Sequence, residues 1–173
     1  LDAPIALQSD GPEPDLECAP RGMRCAYEFA ARAARGPVRL SWYGGSERPA
    51  ELLAASGLEG WRNGVLFVGE RGWLISDYSH HELGPKDRFV GYQPPPETIA
   101  PSPGHHQEWL RCCRDRTLPS CNFDYSGPLT EAVQLANVAF RAARGKRLQW
   151  DAAALAFAGD DHGANLLLDE PRR

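Results

Sequence analysis

The sequence predicts an α+β domain in which an open, mainly antiparallel (mixed) β-sheet packs against helices on one of its faces. Three observations lead to this prediction. Strand-like alternation dominates the first half of the chain, helical periodicity dominates the second half, and 17 glycines and 15 prolines occur among the 173 residues. Such a glycine and proline content is well above average and argues against an all-helical bundle. Strands followed by helices are typical of the α+β class.

Residues 23–29 carry the clearest strand pattern. One side of this segment is formed by Met23, Cys25, Tyr27 and Phe29, and the other by Arg24, Ala26 and Glu28. Alternation with a period of two predicts a half-buried strand. Residues 38–43 repeat the pattern after a short connector that ends in Gly36-Pro37. The two segments therefore predict an antiparallel pair.

A tight hairpin is predicted for residues 65–76. Val65–Val68 and Trp73–Ser76 are apolar and flank the turn Gly69-Glu70-Arg71-Gly72. Glycines on both sides of a two-residue turn favour this geometry. Residues 5–8 and 147–150 are weaker strand candidates, which we expect at the sheet edges.

One long helix is predicted from Pro128 to Arg144. Its apolar positions follow the i, i+3, i+4, i+7 rule, Pro128 suits a first helical turn, and Gly145 suits the stop. Asp124 or Ser126 is the expected N-cap.

A shorter helix is predicted from His105 to Arg114. An apolar stripe of this helix is formed by His106, Trp109, Leu110 and Cys113. We assign His106 to the core through this stripe and His105 to the helix start. The preceding segment 78–104 is rich in proline and predicts a long loop without regular structure.

Composition excludes several classes of protein. The formal charge of −4 provides no basic field for a nucleic-acid backbone, and no apolar run approaches the roughly 20 residues that span a bilayer. The sequence holds no G-x-G-x-x-G, P-loop or G-x-S-x-G motif. The start Leu1-Asp2-Ala3-Pro4 has no Met and no signal-peptide pattern, so we interpret the chain as part of a longer protein.

Other chemical candidates are weak. His105, His106 and Glu108 offer too few ligands for a zinc site, so no metal is expected. His80-His81 is expected in solvent, and Asp160-Asp161-His162 in a polar turn. The five cysteines are expected as reduced thiols, with one of Cys112 and Cys113 buried and the other half-exposed.

Four segments, in order, resemble the C-terminal domain of the Gfo/Idh/MocA oxidoreductases, and most closely a bacterial branch abundant in planctomycetes. They are VRLSWYGG (38–45), GVLFVGERGW (64–73), SPGHHQEW (102–109) and CNFDYSGPLTEAV (121–133). The resemblance extends over nearly the whole chain. It implies that residues 1–173 form a C-terminal substrate-binding and oligomerisation domain, to which an N-terminal Rossmann domain would contribute NAD or NADP. In that family the catalytic lysine and the Asp-x-x-x-His pair lie upstream of the region that Leu1-Asp2-Ala3-Pro4 resembles.

The resemblance implies a function: substrate binding and dimerisation in an NAD(P)-dependent oxidoreductase that acts on a sugar or cyclitol-like polyol. The chain by itself is then expected to bind no dinucleotide and to be inactive. The alternative is a non-catalytic carbohydrate-binding or assembly module. The candidate substrate-binding residues are Trp42 and Tyr43, whose rings can stack on a sugar, and His105 and His106, which can donate to hydroxyl groups. The opposing interpretation places each of them in the core or in an interface. A homo-oligomer through the open sheet face is expected, because Trp42 and Tyr43 suggest an apolar patch there.

Overall fold

A computed structural model describes residues 3–15, 17–33, 35–159 and 163–169 of the chain, without the side chain of Asp169. The chain divides into two compact units, one formed by residues 1–48 and 104–173 and the other by residues 49–103. The helices and strands in chain order are β1 (Ala6–Asp10), β2 (Gly22–Phe29), β3 (Val38–Gly45), α1 (Ala50–Ala55), β4 (Val65–Gly69), β5 (Gly72–Ser76), β6 (His81–Gly84), α2 (His105–Asp115), α3 (Phe123–Ala143), β7 (Arg147–Asp151), β8 (Ala156–Ala158) and α4 (Ala164–Asp169). The predicted α+β class is confirmed.

The first unit contains a five-stranded sheet in the order β3-β2-β1-β7-β8, and every pair in it is antiparallel. The predicted pair of strands β2 and β3 is confirmed, with Cys25 opposite Trp42 and Tyr27 opposite Leu40. The expectation that residues 5–8 and 147–150 form edge strands is wrong, and β7 lies between β1 and β8. Strand β1 lies in the middle of the sheet, because it pairs with β2 on one side and with the distant β7 on the other.

Helix α3 covers one face of this sheet. One side of its C-terminal half is buried, and Ser9 of β1, itself fully buried, donates from its hydroxyl to the carbonyl oxygen of Ala136 at 2.9 Å. The strands contribute to the resulting core Leu7, Tyr27, Phe29, Leu148, Trp150 and Phe157, and α3 contributes Leu135. Ala164 of α4 belongs to the same cluster. Helices therefore pack on one face, as predicted.

The start of α3 differs from the prediction. The helix begins at Phe123 rather than Pro128, and Pro128 lies inside it. The cap is Asn122, whose side-chain oxygen accepts from the backbone N–H of Asp124 at 2.9 Å. Neither Asp124 nor Ser126 is therefore the N-cap. Because of this cap, the helix begins five residues before the proline. Pro128, which has no backbone N–H to donate, therefore lies near the start of the helix but not at its first position.

The second unit contains a three-stranded antiparallel sheet in the order β4-β5-β6. The predicted hairpin is confirmed, with Val65 opposite Ser76 and Gly69 opposite Gly72. Leu53 of α1, Leu58 and Ile75 form its core. The prediction that residues 78–104 lack regular structure is wrong in part. This segment contains β6 and a 3₁₀ turn at residues 86–89.

No helix in the described part of the chain is long and apolar enough to cross a membrane.

Candidate functional site

The face of the five-stranded sheet opposite α3 is the candidate site. Alternation along each strand decides which side chains point there, because residues opposite each other in the ladder share a face. The face carries Gln8 and Asp10 from β1, Arg24, Ala26 and Glu28 from β2, Arg39, Ser41 and Tyr43 from β3, and Arg147, Gln149 and Asp151 from β7. Charged and amide groups therefore dominate it.

An ion pair between Glu28 and Arg147 crosses the central strand on this face. Nε of Arg147 donates to Oε1 of Glu28 at 2.9 Å, and Nη2 donates to Oε2 at 2.6 Å. The two side chains come from β2 and β7. Glu28 lies opposite Ala6 of β1 and Arg147 lies opposite Gln8, so the ion pair crosses β1 diagonally, and Ala6 beneath it is fully buried. These hydrogen bonds hold the pKa of Glu28 below its usual range and raise the pKa of Arg147.

A second charged cluster lies near the opposite end of β2. Arg24 contacts Asp10 at 3.3 Å through Nη2 and Glu47 at 3.4 Å through Nε. Tyr43 lies directly opposite Arg24 in the ladder. A phenol ring therefore borders an ion-pair cluster at this edge of the sheet.

Small side chains separate the two charged clusters. Ala26 lies between Arg24 and Glu28 on β2, and its partners in the ladder are Gln8 and Ser41. Ala26 and Ser41 are short, and the longer Gln8 donates from Nε2 to the carbonyl oxygen of Gly145 at 3.0 Å. Guanidinium and carboxylate groups bind neighbouring hydroxyl groups, and an aromatic ring stacks on the apolar face of a sugar. The chemistry of this surface therefore suits a polyhydroxylated ligand.

The structure separates Trp42 from Tyr43. Tyr43 points to the open face and is 36% exposed, whereas Trp42 lies opposite Cys25 on the face that α3 covers and is 56% exposed near the β3 edge. Consecutive residues of a strand point to opposite faces, so the two rings cannot line one pocket. The open face is also polar. The prediction of an apolar patch on this face is therefore wrong. The predicted oligomer through this face stays a prediction.

His105 and His106 begin helix α2, as predicted, and both are exposed. Their ring centroids lie 4.1 Å apart. The predicted core stripe is wrong: Trp109 is 62% exposed, Leu110 is 52% exposed, and the buried residue of this helix is Cys112. Cys113 is exposed, so one of the two adjacent thiols is buried, as expected. The substrate role proposed for His105 and His106 stays a prediction.

The structure does not bring His80 and His81 into a site. His80 and His81 are exposed. The nearby carboxylate of Asp77 accepts hydrogen bonds from the backbone N–H groups of Ser79 and His80. The carboxylate of Glu108 accepts from the N–H and hydroxyl of Ser120. Within the described residues, no group of three His, Cys, Asp or Glu side chains could hold a metal ion. Asp160-Asp161-His162 lies outside the described residues.

The second unit carries a cavity of its own, about 530 Å³ in volume and open to solvent. Its apolar lining includes Phe67, Leu74, Leu83, Phe89 and Tyr92. It offers few hydrogen-bonding side chains, and Glu70 and Arg71 at the hairpin turn are the charged ones among its lining residues. A ligand with many hydroxyl groups would lose more hydrogen bonds to water here than it would regain.

Sequence reasoning missed the charged residues of the open face as candidates. The alternation along β2 placed Arg24 and Glu28 on the side away from the core, and this was the signal that could have found them. Their partners could not be found in this way, since Arg147 is 119 positions from Glu28 in the sequence. Only the pairing of β1 with both neighbouring strands brings that ion pair together.

In comparisons with known proteins, no family model matches the chain and no curated protein shows significant similarity to it.

Proposed function

We propose that this chain is the substrate-binding and assembly domain of an NAD(P)-dependent oxidoreductase that acts on a sugar or cyclitol-like polyol. The observation that carries the proposal is the open face of the five-stranded sheet, which presents two ion-pair clusters on either side of small side chains. The four ordered segments that resemble the Gfo/Idh/MocA C-terminal domain support the same function.

The division of work follows from the residues present. Guanidinium and carboxylate groups such as those of Arg24, Arg147 and Glu28 would orient the hydroxyl groups of the polyol, and Tyr43 would limit the site at one edge. Hydride transfer needs a bound nicotinamide, and a dinucleotide needs a glycine-rich turn before a helix N-terminus. The sequence of this chain contains no such turn. NAD or NADP would therefore bind to the Rossmann domain of the complete enzyme.

Isothermal titration calorimetry of the chain with glucose, with myo-inositol, and with NAD and NADP tests this proposal. We expect weak binding of a polyol and no binding of either dinucleotide. Arg24→Gln should weaken polyol binding, because it removes a guanidinium from the face. Ser56→Ala, a substitution in the second unit, serves as the control and should not affect it.

Two results would count against the proposal. Micromolar binding of a dinucleotide would mean that the chain has a nucleotide site of its own. Polyol binding that is unaffected by Arg24→Gln would place the ligand elsewhere. A non-catalytic carbohydrate-binding module would give the same calorimetric result. The coding sequence upstream of Leu1 distinguishes the two, because a Rossmann motif is expected there only for the enzyme.

A further inference from the structure

Asn63 and Gly64 form the dipeptide that leads into strand β4. Both residues are exposed, and they lie between Trp61, which packs on the core of the second unit, and Val65, the first residue of the strand. In the described part of the chain, no hydrogen bond involves the side chain of Asn63 or the N–H of Gly64. Therefore no hydrogen bond holds these two groups apart.

The fold requires glycine at position 64. The φ angle of Gly64 is +139°, a conformation that residues with a side chain rarely adopt, and a Cβ there would lie 2.6 Å from the backbone oxygen of Ser76. Ser76 lies opposite Val65 in the ladder, so this close approach belongs to the open end of the hairpin. Any residue at position 63 is therefore followed by a residue without a side chain.

Asparagine is a thermally labile residue, and a glycine after it favours its reaction with the backbone. The backbone nitrogen of Gly64 can attack Cγ of Asn63, because glycine has no side chain to shield that nitrogen. A bond forms between this nitrogen and Cγ, the bond from Cγ to Nδ2 breaks, and Nδ2 leaves as ammonia with the proton of the Gly64 amide. The product is a five-membered succinimide ring.

Water then opens this ring at one of its two carbonyl carbons. The carbon that is attacked takes the hydroxyl group of the water, and the ring nitrogen takes the proton. Opening at Cγ gives aspartate, and opening at the backbone carbonyl carbon gives isoaspartate, in which the main chain runs through the former side chain. The net reaction consumes water and releases ammonia.

The other three asparagines of the chain lack the features that make Asn63 reactive. They are followed by phenylalanine, valine or leucine, each with a bulky side chain. The side chain of Asn122 accepts from the N–H of Asp124 at 2.9 Å, and that of Asn165 bonds both the N–H and the carbonyl oxygen of Phe157. Asn137 lies within α3, where the following backbone N–H donates to a helical carbonyl.

We propose that Asn63 is a site of spontaneous modification, at which water converts the asparagine of the folded chain to isoaspartate and aspartate. The reaction needs no enzyme, oxidant or metal ion. The site lies in the second unit and outside the five-stranded sheet, so the proposal does not depend on polyol binding.

The isoaspartate product changes the main chain in front of β4. It adds a methylene group to the backbone and a negative charge at position 63, whereas aspartate adds the charge alone at an exposed position. Trp61 and Leu66 both pack on the core of the second unit, so the segment between them has little room for a longer backbone. We therefore expect isoaspartate, but not aspartate, to destabilise this unit.

Mass spectrometry of the full chain after incubation in neutral and in mildly alkaline buffer tests the proposal. Deamidation changes the mass by the difference between a hydroxyl and an amino group. Trypsin cleaves after Arg62 and Arg71 and releases residues 63–71 as one peptide, in which electron-transfer fragmentation distinguishes isoaspartate from aspartate. Digestion in H₂¹⁸O marks any deamidation that occurs during the digestion itself. Far-ultraviolet circular dichroism before digestion confirms that the incubated chain is folded.

We expect Asn63 to be deamidated before the other three asparagines, and faster in alkaline buffer, because the Gly64 nitrogen attacks in its deprotonated form. Asn63→Gln is the matched control: it keeps the amide and Gly64 but requires a six-membered ring, and it should stay unmodified over the same time. An intact Asn63 in the folded chain, when a synthetic peptide of residues 59–68 is already deamidated, would overturn the proposal. Deamidation of Asn122, Asn137 or Asn165 as fast as that of Asn63 would overturn it as well.

A thermal melt tests the structural consequence. The deamidated fraction, separated by anion exchange, is compared with the wild type and with Asn63→Asp, which carries the charge without the added methylene. We expect a lower Tm for the deamidated fraction than for Asn63→Asp. Equal Tm values would contradict the expectation that the segment between Trp61 and Leu66 cannot take up a longer backbone.

Discussion

The hydroxyl of Ser9 joins the large sheet to helix α3, and its removal has a calculable effect. The side chain is fully buried and donates to the carbonyl oxygen of Ala136 at 2.9 Å. Ser9→Ala removes this hydrogen bond and leaves little empty space. Because Ala136 lies within α3, its carbonyl keeps the bond from the helical N–H four residues later. We therefore expect the lower part of the range for a lost buried hydrogen bond, about 1 kcal/mol, or about fivefold in the folding equilibrium.

Urea unfolding followed by tryptophan fluorescence measures this loss, and a thermal melt should show a decrease in Tm of about 2–4 °C. Ser41→Ala is the control, because Ser41 is exposed on β3 and should change the free energy of unfolding by less than about 0.5 kcal/mol. A loss for Ser9→Ala no larger than that of the control would refute the reasoning that this contact holds α3 on the sheet. A loss above about 3 kcal/mol would show that the carbonyl of Ala136 is left without a partner.

Two further predictions concern the ion pair on the open face and the hairpin of the second unit. The folded-state pKa of Glu28 is lowered by Arg147, so the pair stabilises the fold above the ordinary pKa of 4.5 and this stabilisation is lost as the pH falls through the lower folded value. Glu28→Gln should flatten the decline of the free energy of unfolding over that acidic range, and an unchanged acid profile would contradict the role of the pair. Gly72→Ala would place a Cβ 2.2 Å from the backbone oxygen of Gly84 and should lower the Tm clearly. Gly60→Ala should leave the Tm unchanged, because no atom lies within 4 Å of the new Cβ. Equal Tm values for the two variants would argue against the close approach of Gly72 to Gly84.

Local patterns in the sequence predicted strands β2, β3, β4 and β5 well. The alternation from Met23 to Phe29 predicted both the strand and the faces of its side chains, and the glycines around Glu70-Arg71 predicted the hairpin. Both signals act between near neighbours, where strand geometry and turn conformation leave few options. For these strands, existence and the pairing of neighbours could therefore be read from the sequence, whereas the short strands β6 and β8 carry no comparable pattern and were not predicted.

Long-range pairing and the covering of surfaces could not be read in this way. The central position of β1 depends on its pairing with β7, which lies more than a hundred residues later in the chain. The apolar stripe of α2 predicted a buried face, yet Trp109 and Leu110 are exposed, because amphipathic periodicity shows that a face could pack but not that anything packs on it. The start of α3 was misplaced because Pro128 suits a first turn, while Asn122 caps the helix earlier.

A nuclear magnetic resonance titration of the labelled chain with myo-inositol or glucose tests whether the polar face of the five-stranded sheet binds the polyol. We expect the amide shifts to cluster on β1, β2, β3 and β7, to be strongest around Arg24, Ala26 and Arg147, and to leave the three-stranded sheet unaffected. Shifts confined to the cavity around Phe89 and Tyr92, or to helix α2, would contradict it. So would the absence of any shift with either ligand.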